Sequence, residues 1–230
     1  MKPISEVFHG DCMNFMAGLP DGYFELAVVD PPYGIGGHKE QGLGDGRTGR
    51  NLRTESKWKG GAWDNNPPPP EYFKELFRIS KNQIIWGGNY FPLPCSRCWI
   101  IWDKVQRCDN ADAELAWTSF KKSVRIFTYP AQKLMGFMNP NRFHPTEKPV
   151  ALYEWILRNY AKPGDKILDT HLGSQSSRIA AYKLGFDFWG CEIDDDYIRE
   201  GNARFEKEIA MPLFDAPKPA LQSQLNFDAL

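Results

Sequence analysis

Short apolar runs alternate with stretches of helical period along most of this chain. Glu6–His9 and Glu25–Val29 read as strands, with a short helix at Cys12–Ala17 between them. Residues 34–66 then lose all period; the stretch holds nine glycines and reads as a long mobile loop, of the kind that carries function inside a compact domain. Pro67–Pro70 end it and lead into a helix at Glu71–Ile79. Gln83–Trp86 and Trp99–Trp102 read as strands, and Glu114–Trp117 and Val124–Thr128 as a further extended pair. The pattern then predicts helix at Val150–Tyr160, strand at Lys166–Asp169, helix at Ser176–Leu184, strand at Phe188–Glu192 and helix at Asp195–Ile209. Strands alternating with helices predict an α/β fold around a mostly parallel sheet. Residues 1–210 form one expected domain, and Met211–Leu230 read as a flexible tail.

Composition narrows the class. The chain has 230 residues, 42% of them hydrophobic and 25% charged, enough to bury a full core. No apolar run approaches the ~18 residues of a membrane span, and MKPISEVFHGD lacks the apolar stretch of a signal peptide. Five cysteines without framework spacing fit a reducing cytoplasm. Cys95-Ser96-Arg97-Cys98 is a lone C-x-x-C, short of the four ligands of a structural zinc, so no metal is expected.

The formal charge of −1 hides an asymmetry. Arg47, Arg50, Arg53, Lys57 and Lys59 face one acid, Glu55, whereas Lys121, Lys122, Arg125, Lys133 and Arg142 lie in a stretch, 115–146, with no acid. Two basic segments in an acidic body read either as a phosphate-binding face or as ordinary mixed surface.

Three motifs carry candidate chemistry. Asp30-Pro31-Pro32-Tyr33 follows the apolar strand Leu26–Val29 and so stands at a strand's carboxyl end, where open α/β sheets bind ligands. The prolines fix φ and lack donors. A carboxylate, a fixed carbonyl and an aromatic ring suit a planar heterocycle bearing an exocyclic amine; the competing reading is a strand-ending turn. Ile167-Leu168-Asp169 with Gly173-Ser174 is a strand–turn–helix unit, and Glu192 ends the next strand, placed to accept the hydroxyls of a ribose. That pattern reads as a nucleoside-cofactor site or as plain βα turns. By spacing alone, His144-Pro145-Thr146-Glu147-Lys148-Pro149 is a polar turn before a helix.

Taken together in this order, these motifs resemble the S-adenosylmethionine-dependent DNA amino-methyltransferases, with the catalytic motif ahead of the cofactor motif as in the permuted β group. Gly10-Asp11-Cys12 also matches the family's adenine-contacting segment, so the resemblance spans residues 10 to about 209. Small phage or prophage members are the most similar. The resemblance implies a Rossmann-like sheet of about seven strands, one antiparallel, with helices on both faces. It implies S-adenosylmethionine as cofactor, with Asp11 and Cys12 at its adenine, Glu192 at its ribose, Asp169, His171, Gly173 and Ser174 at its methionine end, and Thr146 and Lys148 beside it. Asp30, Pro31, Pro32 and Tyr33 would grip a base flipped from double-stranded DNA. Asp30 in place of Ser is more typical of adenine-N6 than of cytosine-N4 enzymes. Arg47, Arg50, Arg53, Lys57, Lys59, Lys121, Lys122 and Arg125 would meet phosphates, with 34–66 a DNA-facing loop and 103–143 the target-recognition region.

One departure stands out: Gln175 replaces the family's usual Gly, and Thr170-His171 its Pro-Phe. Gln175 either crowds the methionine moiety or points away; crowding would favour a non-catalytic DNA-binding module, a reading kept beside cytosine-N4 and RNA methyltransferases. Asn89-Tyr90-Phe91 and Trp86, Trp99 and Trp102 either flank the target pocket or pack the core. Gln222–Phe227 resembles the Q-x-x-L-x-F peptide that docks on bacterial sliding clamps. A clamp, a second copy of the chain, and a place in the cytoplasm beside the nucleoid complete the expected setting.

Overall fold

The computed structural model describes residues 2–35, 64–105, 111–131, 144 and 146–210. In chain order the elements are β1 (Ser5–His9), α1 (Cys12–Ala17), β2 (Phe24–Val29), α2 (Pro70–Ile79), β3 (Ser80–Trp86), β4 (Trp99–Asp103), β5 (Ala113–Thr118), β6 (Arg125–Thr128), α3 (Val150–Tyr160), β7 (Lys166–Asp169), α4 (Ser176–Leu184), β8 (Asp187–Glu192) and α5 (Asp195–Ala210). The strands form one eight-stranded sheet in the order β1-β8-β7-β2-β3-β5-β4-β6. Every neighbouring pair is parallel except those of β5, which runs antiparallel to both β3 and β4.

The mostly parallel, Rossmann-like sheet with a single reversed strand is therefore present, with eight strands where about seven were expected. All eight fall on segments whose pattern reads as extended. Glu114–Trp117 and Val124–Thr128 do not pair with each other: β5 inserts between β3 and β4, and β6 lies parallel on the outer side of β4.

Alternation along β2 explains the layering. Leu26 and Val28 face a core shared with Leu152, Tyr153, Ile156 and Leu157 of α3 and Ala180 and Ala181 of α4. Ala27 and Val29 face Met16 of α1 and Tyr72, Phe73, Leu76 and Ile79 of α2. A strand buried on both faces reads as a continuous apolar run, as FELAVV does. Pro70 opens α2 at its first helical position, where a missing N–H costs nothing.

α5 packs on α4, with the rings of Phe205 and Tyr182 edge to face at 5.3 Å. Arg178 fastens this layer to the edge strand: its guanidinium donates to Ser5 Oγ (2.9 Å), to Gln175 Oε1 (2.8 Å) and to Asn202 Oδ1 (2.7 Å), and it lies 3.8 Å from the Phe205 ring centroid. Among the described residues no helix is long and apolar enough to cross a membrane.

The parallel order turns direction between β7 and β2. From β7 the chain runs through α4 to β8, away from β2; from β2 it runs through α2 to β3, on the other side. Such a switch point opens a crevice at the carboxyl ends of the two strands. Asp169 ends β7, and Asp30 follows β2.

Candidate active site

The carboxyl edge of the sheet carries the predicted residues in a row. Asp11 and Cys12 follow β1, Glu192 ends β8, Asp169 ends β7, and Asp30–Tyr33 follow β2. β1 pairs with β8 so that His9 stands opposite Glu192, which brings Asp11 and Glu192 together.

Asp11 caps α1, its Oδ1 accepting from Met13 N at 2.7 Å. Burial, then the Asp11 and Glu192 charges, push the Cys12 thiol up to about 12, so it stays neutral. Glu192 Oε2 accepts from Gly173 N (2.8 Å) and Oε1 from Ile193 N (2.9 Å) and Asp194 N (3.0 Å). A carboxylate offers about four acceptor positions. With three in use, a diol would gain its second bond to Glu192 only by displacing a backbone N–H.

Asp169 is buried with neutral donors: His171 N at 3.1 Å and Ser177 Oγ at 2.5 Å. Burial pushes its carboxyl up to about 7 and the His171 imidazole down to about 4. Thr170 and His171, where Pro-Phe was expected, sit against Tyr72: its hydroxyl lies 2.6 Å from Thr170 Oγ1, and its ring is edge to face with His171 at 5.4 Å. A carboxylate here, with Asp11 and Glu192 nearby, is a donor set suited to a cationic ligand bearing a ribose.

Gln175 points away from this turn. Its backbone is left-handed at φ +60°, the conformation that favours glycine there. The side chain is fully buried between α4 and α5, with Nε2 donating to Asn202 Oδ1 at 3.2 Å and Oε1 accepting from Arg178. A Cβ on Gly201 would come within 2.5 Å of Gln175 Nε2, so Gly201 makes the room. The one residue that favoured a non-catalytic reading thus lies outside the turn. We expect Gln175→Gly to leave cofactor affinity within about twofold, because no side-chain atom leaves the turn. The relieved backbone strain, about 1 kcal/mol, is outweighed by the lost buried hydrogen bonds and packing, so Tm falls by about 2–5 °C. Calorimetric titration and thermal melts check both.

The segment 144–149 docks on the same turn. The His144 ring lies tilted against that of Tyr197 at 4.4 Å, and a Cβ on Gly173 would meet His144 Nε2 at 2.9 Å. Thr146 N donates to His144 Nδ1 at 3.3 Å. Glu147 is buried and pairs with Arg204 (3.2 Å), which also donates to Ser174 O at 2.8 Å, so one arginine ties the segment to the turn.

The Asp30 side reaches further across the sheet. Asp30 Oδ1 accepts from the Tyr33 hydroxyl at 2.7 Å, and Oδ2 holds Lys148 Nζ. Asp64 Oδ1 accepts from Tyr33 N (2.7 Å) and Gly34 N (3.1 Å), fixing the backbone of the motif. The Tyr33 ring stacks on Tyr90 at 5.1 Å and meets Phe91 edge to face at 6.1 Å; Tyr90 is 48% exposed. Gly87, left-handed at φ +66°, leaves the space the Tyr33 ring fills. Trp86, Trp99 and Trp102 sit in or against the core.

Lys148, expected beside the cofactor, is thus found on the Asp30 carboxylate. Its ammonium also lies 3.0 Å from Glu114 Oε2, and Glu114 Oε1 lies 2.6 Å from Lys104 Nζ. Sequence reading missed Glu114, Lys104 and the role of Asp64. Glu114 and Lys148 are far apart in the chain, and only the reversal of β5 brings the start of that strand to the carboxyl edge.

The basic residues divide. Arg47, Arg50, Arg53, Lys57 and Lys59 lie outside the described residues, as do Lys133, Arg142, Cys108 and the tail with Gln222–Phe227. Lys121, Lys122 and Arg125 are not brought to the site. They lie in and beside the turn from the end of β5 to the start of β6, where Arg125 pairs with Ile100 at the amino end of β4, opposite the edge that carries Asp30. Lys122 is engaged there, donating to Asn159 O at 2.8 Å with its ammonium 4.6 Å from the Tyr160 ring centroid. A sum of charges along the chain does not record which end of a strand carries them.

Comparison with known proteins fits this arrangement. Residues 93–203 match the N6/N4 family model described as DNA methylase. YhdJ of Escherichia coli strain K12, named a DNA adenine methyltransferase, is 26% identical over 246 residues, covering 87% of this chain and 82% of YhdJ. The structure of M1.HpyAVI in complex with SAM superposes with a TM-score of 0.55 at 18% identity, over 86% of this chain and 98% of that one. PvuII DNA methyltransferase, titled cytosine-N4-specific, gives 0.55 at 13% identity, over 90% and 92%. With its motifs standing in that family's order along one sheet edge, the chain is similar in sequence and fold to the S-adenosylmethionine-dependent DNA amino-methyltransferases.

Proposed function

We propose that this protein transfers a methyl group from S-adenosylmethionine to the exocyclic N6 amine of an adenine flipped out of double-stranded DNA. The observation that carries the reading is the placement of Asp30-Pro31-Pro32-Tyr33 and the Asp169–Ser174 turn at the carboxyl ends of adjacent strands, on either side of the switch point. Asp30 at the first motif position and the likeness to YhdJ favour adenine over cytosine.

Bound here, the cofactor would supply an electrophilic methyl on its cationic sulfur, so the chain needs no covalent nucleophile. Its residues position and orient. Glu192 and Asp11 would hold the nucleoside, and Asp169 the cationic methionine end. Asp30 would accept a hydrogen bond from the amine, drawing the nitrogen lone pair out of the ring, and take the proton the amine loses. Tyr33, with the exposed Tyr90 beside it, offers stacking worth ~1–3 kcal/mol against the cost of flipping. Both ends of the stretch that bears Arg47–Lys59 lie at this site, since Asp64 is bonded to Tyr33 N and Gly34 N. Those cations would meet the phosphates flanking a flipped base.

The test is to incubate the protein with labelled S-adenosylmethionine and unmethylated bacterial DNA, digest to nucleosides and identify the product. N6-methyldeoxyadenosine is expected; N4-methyldeoxycytidine, or no labelled nucleoside, would overturn the assignment.

Cofactor affinity should depend on pH. The Asp169 carboxyl, raised to about 7 by burial, must lose its proton before it pairs with a cation. The affinity therefore rises about tenfold between pH 6 and 8 and flattens above. Titration calorimetry in buffers of different ionisation enthalpy checks this through the proton released on binding near neutral pH.

A further inference from the structure

Four charged side chains of alternating sign run from the site into the sheet: Asp30, Lys148, Glu114 and Lys104. They come from the turn after β2, the segment before α3, the start of β5 and the residue after β4. The Lys148 side chain is 2% exposed. Its ammonium is held between two carboxylates and lies 5.3 Å from the Trp86 ring centroid and 5.9 Å from that of Tyr33. A buried cation needs one carboxylate to balance it. This one has two, and one of them is the group that faces the target.

We propose that Lys148, clamped by Glu114, is a positioning residue for Asp30: it anchors carboxylate oxygen Oδ2, so that only Oδ1 is presented to the exocyclic amine. The inference rests on the methyl-transfer reading above and deepens it. In the present structure Oδ1 carries the Tyr33 hydroxyl. An incoming amine N–H takes that place, while Lys148 keeps Oδ2 and prevents the carboxylate from turning both oxygens towards other donors. Glu114 holds Lys148 from the far side, and Lys104 balances Glu114.

Charge supports the geometry. Burial raises the Asp30 carboxyl, the Lys148 charge lowers it and the Glu114 charge raises it. Tyr33 donates to Asp30, while Asp169 on β7 and Tyr153 on α3 also sense its charge. Lys148 is the cation that Asp30 and Glu114 share, and it stays charged despite burial because both carboxylates face it. Without it, Asp30 would remain protonated to higher pH and could not accept from the amine.

The test compares wild type, Lys148→Met and Lys148→Met/Glu114→Gln in methyl incorporation into unmethylated bacterial DNA between about pH 6 and 9, with DNA affinity by filter binding. Lys148→Met is expected to lose about thirtyfold or more in kcat near neutral pH, with KM for DNA within about threefold. The acid limb of its pH profile moves up by about one unit or more. The double variant, with both charges gone, should fall between wild type and Lys148→Met, since the two sites are in contact and non-additive. DNA affinity stays within about twofold in both, because a buried ammonium meets no phosphate. An unmoved acid limb, or a loss equal at every pH, would overturn the proposal in favour of a purely structural ion pair. If Lys148→Met does not fold, the double variant decides by the same limb: above wild type supports the role, coincident refutes it. Carbon-13 NMR of aspartate-labelled protein reads the Asp30 carboxyl without DNA or cofactor. Its titration must move up in the folded variant even if wild type transfers no methyl group, an outcome that would sink the methyltransferase reading alone.

Discussion

Replacing Asp30 with alanine should abolish methyl transfer, lowering kcat by about a thousandfold or more, as expected when the carboxylate proposed to take the reacting proton is removed. Cofactor affinity should stay within about threefold, because the groups proposed to hold the cofactor follow β1 or end β8 and β7, and Asp30 follows β2. The fold should survive. Removing one partner of a buried ion pair commonly costs about 3–5 kcal/mol by stranding the other. Here Lys148 keeps Glu114 at 3.0 Å, so the loss should be smaller, about 1–3 kcal/mol. Single-turnover methylation, calorimetric titration and a thermal melt separate the three quantities. Parallel loss of turnover and cofactor binding would show that Asp30 serves the cofactor rather than the base.

Glu192→Ala should do the reverse, acting first on cofactor binding. Hydrogen bonds to a charged acceptor are worth about 1.5–3 kcal/mol each, so losing the acceptor for a ribose diol weakens binding by about a hundredfold. A second loss comes from the protein itself. Gly173 N, Ile193 N and Asp194 N all donate to this carboxylate, and the Gly173 bond ties the turn after β7 to the end of β8. With water replacing some of these partners, a destabilisation of about 2 kcal/mol and a Tm lower by about 4–8 °C are expected. Glu192→Gln keeps one oxygen and should fall between. At saturating cofactor the alanine variant should recover much of its turnover, which Asp30→Ala would not.

Much of the fold was legible because local period and burial agree. FELAVV, buried on both faces, could only be a central strand, and Pro70 marked the start of α2 within one residue. That one strand would run antiparallel was expected from family resemblance alone, and which strand it is was not legible, since a strand's period carries no direction. The edge strand β6 was read at Val124–Thr128, but its partner was not: it pairs with β4, while β5 inserts between β3 and β4. At the site, motif residues that follow strands directly were found at the predicted edge, because a strand end fixes its neighbours in space. The partners that complete the site were not visible. Glu114 looks like any first residue of a strand, and Asp64 looks like the end of a glycine-rich loop. Only tertiary pairing sets them beside Lys148 and Tyr33. Gln175 shows the opposite limit: a substitution in a motif suggested a blocked site, yet the side chain's direction depends on Gly201, a residue on another helix.

The reversed strand has a practical consequence. Because β5 starts at the reaction edge and ends at the far one, the turn that follows it is turned away from Asp30, and Lys121 there is exposed. A fluorophore or surface tether attached at that lysine would leave the reactive face free, so immobilised molecules would all offer their catalytic side to nucleic acid supplied from solution.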